Sequence, residues 1–207
     1  MPKALTREEL QARTREQILT AAQVVFLTRG YNATTMGQIA AEAGRSHGSI
    51  YSNFAGKEEL CLEVLRIHFE QVLADLSHAV LAMRGVDAKL AATREQWRRL
   101  LEQSEWISLA ADFVMATRNN PEQEQANRAT IDMFTAGLQA LLYAQAATED
   151  IVVDDPALVE QAIAALVATG VGLAVGQALG AVPREVATNA FIENLNVWIQ
   201  RTEIRRS

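Results

Sequence analysis

Few side chains in this sequence are of types that make or break bonds. Gly44-Arg45-Ser46-His47-Gly48 fits G-x-S-x-G, the pattern that holds a serine nucleophile on a sharp turn. That chemistry needs a strand before the serine and a helix after it. Here helical periodicity precedes the serine, and no acid and later histidine are arranged around it. The single cysteine, Cys61, excludes an internal disulfide and a Cys-based zinc site. It falls in the first turn of a predicted helix, where the helix end would acidify a thiol somewhat, as a redox switch requires; a buried bystander thiol is the simpler reading. His68 and His78 stand ten residues apart on one predicted helix. That is about three turns, too far for a metal site made by those two alone. No metal or cofactor site, catalytic triad or phosphate loop is read, and no enzyme.

The elements that would position these residues are helical. Alanine is abundant, and no period-two run or Asn-Gly or Asp-Gly hairpin turn is present. The fold class is all-α with about nine helices. The first is predicted over about 6–28, with Ile18, Ala21, Ala22, Val25 and Phe26 as its buried face, Arg29 in the last turn and Gly30 as the stop. Thr35 and Gln38 form a capping box that opens a short helix closed by Gly44. Ser46 caps a second short helix, about 47–53. Ile39, Ala43 and Ile50 fill the core between the two. Lys57 opens a long helix to about 83, striped by Leu60, Val64, Ile67 and Leu73 or Val72. Further helices are read near 87–103, 105–118, 122–147, 156–180 and 184–203. Connections fall at Asn119-Asn120-Pro121, at 148–156 and at 180–183.

The chain has 207 residues, 49% hydrophobic and 21% charged, and a net charge of −6. It is long enough to bury a core without staples, and its composition is not that of a disordered chain. The acidic balance excludes a whole-chain basic footprint for nucleic acid. The charge is uneven, however. Residues 1–60 hold seven Lys and Arg against six Asp and Glu, and residues 61–207 hold twelve against nineteen. The polar start, MPKALTREELQARTREQ, is unlike a signal peptide, so a cytoplasmic location is expected.

Two short helices joined by a tight glycine turn are a helix-turn-helix, whose second helix projects its first side chains into a major groove. The match extends beyond the turn. Ile18, Ala22 and Phe26; Gly30-Tyr31; Thr34-Thr35; Ile39-Ala40; Gly44 and Ser46; Gly48-Ser49-Ile50-Tyr51; Phe54; and Lys57 with Leu60 together resemble the TetR family of bacterial repressors. The resemblance covers about a quarter of the chain. It implies phosphate contacts from Thr35, Tyr51 and Lys57, and places Ser46, His47, Gly48 and Ser49 in or beside the groove. The family usually has a small apolar residue after the turn glycine. Here that residue is Arg45, which cannot plug the small core and is read as pointing to DNA, to a base or a phosphate. Arg13 or Arg15 could also reach phosphate or the minor groove.

The division expected is a DNA-binding domain at 1–56 and an effector-binding and dimerisation domain at 57–207. Large side chains in the middle of the chain, among them Phe69, Trp97, Trp106, Phe113, Met115 and Phe134, resemble the lining of the family's effector pocket. Few cations accompany them, so an apolar or weakly polar small molecule is expected; Asp112 or Glu105 could receive a cationic one. Residues 161–183 carry no charge, a length that invites a membrane reading. Four glycines, Gln161, Thr169 and Gln177, and the lack of an aromatic belt or basic flank oppose it. The resemblance places a dimer seam on the last two helices, here with Gly172, Gly176, Phe191, Leu195 and Trp198. The expected function is a homodimeric, ligand-responsive repressor on a palindromic operator. A helical ligand-binding module, or an activator without induction, is the alternative.

Overall fold

The computed structural model describes residues 6–148 and 155–203. Among the described residues there are nine helices and no strand: α1 (Arg7–Ala33), α2 (Met36–Glu42), α3 (His47–Tyr51), α4 (Lys57–Leu81), α5 (Val86–Glu102), α6 (Ser104–Thr117), α7 (Pro121–Thr148), α8 (Pro156–Ala178) and α9 (Arg184–Glu203). They group into two compact units. One comprises residues through His68 with Ser108–Asn127, and the other Phe69–Ile107 with residues from Arg128 onward. The helices α4, α6 and α7 therefore each contribute to both.

The first unit is built on the apolar face of α1. Ile18, Ala22 and Phe26 are fully buried, together with Ile39 of α2, Ile50 of α3, Phe54 and Leu60. Burying each large side chain stabilises the unit by roughly 1.5–3 kcal/mol. Ala43, expected in this small core, is only half-buried because it sits at the end of α2. Gly30 does not end α1. It takes φ +75°, kinks the chain, and helical structure resumes through Ala33. The Thr34 hydroxyl then donates to the Gly30 carbonyl oxygen at 2.7 Å, tying the kink down. Glycine is needed there because an L side chain rarely adopts that φ.

Along α4 the buried stripe is Leu60, Cys61, Val64 and Leu65. Ile67, expected in the stripe, is 42% exposed. It shares the face of Leu60 and Val64, at i+7 and i+3, so helical phase does not account for its exposure. The predicted connection at 148–156 lies for 149–154 outside the described residues. Its end is visible: Asp155 accepts from the Leu158 amide at 3.1 Å, and Pro156 occupies the first turn of α8.

The second unit is centred on Trp97 and Leu101 of α5, Ala174 of α8 and Ala187 of α9. Trp97 stacks on Phe191 at 4.3 Å between ring centroids, and its indole Nε1 donates to the Ala187 carbonyl oxygen at 3.4 Å. A Cβ at Gly170 would lie 3.3 Å from the Phe191 ring, so the missing side chain admits the aromatic. By length and composition α8 could cross a membrane. Yet it packs against α9 and α5, and Val159, Ala162, Ile163, Gly170 and Ala174 are buried.

Candidate nucleic-acid interface

The two short helices are set by local chemistry. Thr35 caps α2: its hydroxyl accepts from the Gln38 amide at 3.3 Å, and the Gln38 side chain accepts from the Thr35 amide at 2.9 Å. The helix closes in a Schellman turn. Gly44 takes φ +60°, its amide donates to Ala41 at 3.2 Å, and the Arg45 amide donates to Ala40 at 2.9 Å. Ser46 then caps α3 by accepting from the Ser49 amide at 3.2 Å. That bond gives the serine of the G-x-S-x-G run a capping role, and a helix rather than a strand precedes it.

Ile50 anchors α3 into the core while Arg45, Ser46, His47, Gly48 and Tyr51 stand exposed and Ser49 is half-exposed. Thr35 is exposed at the head of α2. These are exposed positions at the head of α2, in the turn after it and along α3. The edge of the His47 imidazole lies beside Gly37. Arg45 donates through Nη2 to the Gln17 side-chain oxygen of α1. Sequence reasoning missed Gln17, whose partner lies 28 residues away with no local pattern to connect them.

Two expected cations have partners within the protomer. Lys57 Nζ donates to the Tyr31 carbonyl oxygen at 3.1 Å and lies 4.3 Å from that ring's centroid. Arg15 donates through Nη1 to the Asn53 carbonyl oxygen at 2.9 Å, pairs with Glu63 at 3.2 Å and lies 4.1 Å over Phe54. Arg15 is therefore a clamp joining α1, the end of α3 and α4. The Tyr31 hydroxyl donates to Glu58 at 3.2 Å; burial, then the Glu58 charge, pushes its pKa well above the ordinary value. Cys61 is fully buried. Burial drives its thiol pKa up, against the pull of Lys57, so the acidification expected from the helix end is overridden.

Of the six aromatic and methionine side chains expected at the effector site, Phe113 and Met115 belong to the first unit and Phe69, Trp97, Trp106 and Phe134 to the second. Phe69 and Phe134 meet at 5.8 Å between centroids, within the second unit. Trp97 belongs to the α5–α8–α9 core. Phe113 is buried edge-on to Tyr31 at 5.2 Å, within the first unit. Trp106 is half-buried, and Met115 is 60% exposed. Of the expected seam residues, Phe191 is committed to Trp97, and a Cβ at Gly176 would meet Val182 at 2.9 Å, so both serve packing inside the protomer. Gly172 faces open space. Leu195 and Trp198 are half-buried, the latter with Arg201 5.0 Å from its ring centroid.

Residues 18–64 match the model of a family described as bacterial regulatory proteins, tetR family. The HTH-type transcriptional activator FasR of Mycolicibacterium smegmatis is 30% identical over 141 residues, 61% of this chain and 62% of its own length. The HTH-type transcriptional repressor BepR of Brucella suis biovar 1 is 44% identical over 61 residues, 29% of each chain. Sequence likeness thus spans less than two thirds of either relative. Likeness of fold runs further: the crystal structure of a transcriptional regulator from Rhodococcus sp. Rha1 matches 91% of this chain and 97% of that one, with TM-score 0.68 and 25% identity.

Proposed function

The chain belongs to the tetR family of bacterial regulatory proteins, and from that premise we propose that it is a ligand-responsive transcriptional repressor binding a palindromic operator as a homodimer. One observation carries the reading: α3 is held by the buried Ile50 while its whole leading edge, Arg45 to Gly48, is left exposed and polar. Such a helix fits a major groove, with Thr35, Tyr51 and Lys57 on the flanking phosphates. Lys57 gives up its bond to Tyr31 when it takes a phosphate. Arg45, His47 and Ser49 meet base edges or the adjacent backbone, and Ser46 and Gly48 let α3 approach. The acidic remainder of the chain limits non-specific adhesion to DNA.

The effector in this reading is apolar or weakly polar, with Phe69 and Phe134 as its first contacts. It acts through α4, which carries Phe69 and begins at Lys57. A ligand shifts the equilibrium only by its differential affinity for the two states, typically ~1–3 kcal/mol of coupling. The protein works in the cytoplasm without a cofactor and without enzymatic activity.

Selection from a random DNA pool, followed by a salt titration of the winner, tests the reading. A palindrome bound with an affinity that falls steeply with salt is the expected result. No enrichment overturns operator binding and favours a helical ligand-binding module. The match to an activator over 61% of the chain favours activation as the second reading. A reporter driven from the selected site separates the two: expression rises on deleting a repressor's gene and falls on deleting an activator's.

A further inference from the structure

We propose that Gly37 is a specificity-positioning residue: its missing side chain is the seat that fixes the His47 imidazole at the head of α3. The inference rests on the operator-binding reading above.

Gly37 lies in the first turn of α2, a regular helix in which it needs no positive φ. Glycine is there the poorer helix former, inferior to alanine on backbone entropy alone. What it provides is space. A Cβ on Gly37 would sit 3.2 Å from His47 Nε2 and 3.4 Å from Cε1, with the Thr35 hydroxyl at 3.9 Å. The edge of the imidazole stands so close that a first carbon at position 37 would press on it, and the ring would have to shift by a few tenths of an ångström.

His47 is the first residue of α3 and is exposed. Its two ring nitrogens can donate or accept, and what they meet depends on the rotamer. An unseated ring would sample several rotamers and read several base edges weakly. Seated on Gly37, it presents one. Gly37 touches no base in this account and acts through His47.

The test compares the wild-type full-length protein with Gly37→Ala, His47→Ala and the double variant. The readouts are selected-sequence profiles, affinity for the wild-type operator and thermal melting. Gly37→Ala is expected to melt at the wild-type temperature or above, which separates it from a folding defect. It should lose about fivefold or more in operator affinity and relax preference at the base pairs that His47→Ala also relaxes. The double variant should match His47→Ala alone. A wild-type profile and affinity for Gly37→Ala overturns the positioning role, as does a loss that adds to that of His47→Ala. If the wild-type protein enriches no sequence, operator reading and this inference fall together; if it does and Gly37→Ala matches it, only the inference falls.

Discussion

Arg15 holds three partners with one guanidinium: the Asn53 carbonyl, Glu63 and the face of Phe54. Arg15→Ala should therefore lower stability by about 1–2 kcal/mol, a charged hydrogen-bond set discounted for partial exposure. A lower urea midpoint at unchanged slope would show it. A phosphate contact would instead leave the midpoint and reduce the salt slope of DNA binding by about one. Glu63 carries the acid dependence of the same cluster. Hydrogen bonds from Arg66, opposed by burial and then helped by Arg15, hold its pKa below the ordinary 4.5. A depressed carboxylate pKa contributes stability above the unfolded value and loses it as pH falls through the folded one. The midpoint should drop below about pH 4.5, and Glu63→Gln should flatten that limb. Cys61, buried and raised in pKa, should resist a thiol reagent in the native protein and react at the rate of opening. The thiol's position on the helix was legible in the sequence. A buried thiol was the simpler reading there too; how completely it is enclosed depends on the packing around α4.

At the scale of elements, whatever is written in neighbouring residues was readable. The Thr35–Gln38 box, the Ser46 cap and the Gly44 turn each join residues a few positions apart, and each forms as its side chains require. Thr35→Ala should cost about 1 kcal/mol of stability through the lost cap. If Thr35 also holds phosphate, operator affinity should fall equally for every sequence tested, whereas a purely structural cap would leave affinity untouched in folded protein. The unread features are those where distant residues decide. The kink at Gly30 looked like a stop because nothing in its neighbourhood shows that Tyr31 must turn inward onto Phe26 and Phe113. Arg45 looked free for DNA because Gln17 lies on another helix. Gln17→Ala should change the preference between sequences in the same direction as Arg45→Ala, since the first releases the guanidinium that the second removes. Selected-sequence profiles of the two variants check this; unrelated profiles would detach Gln17 from recognition.

For the whole molecule, the question is what covers α8. One face of that helix is buried against α5 and α9. On the other, Ala164, Ala168, Val171, Gly172 and Leu179 recur at helical spacing and are exposed, Val171 at 59% and Leu179 at 78%. Val186 and Val197 of α9 are exposed as well. A helix apolar on both faces signals a second partner, and a two-fold copy of the same face is the simplest that closes. The seam we propose therefore rests on Val171, Gly172 and Leu179, beside Leu195 and Trp198, more than on Phe191 and Gly176, which the protomer uses itself. Val171→Glu with Leu179→Glu should give a folded monomer at micromolar concentration by light scattering, where the wild-type protein should give a dimer. Operator affinity should fall with it by about 10²-fold or more, because the second half-site is no longer bound at the effective concentration that linkage provides. A single half-site should be bound as before, since α2 and α3 are untouched. A wild-type monomer at that concentration would refute the seam. A double variant that stays dimeric would move it to another face of the chain.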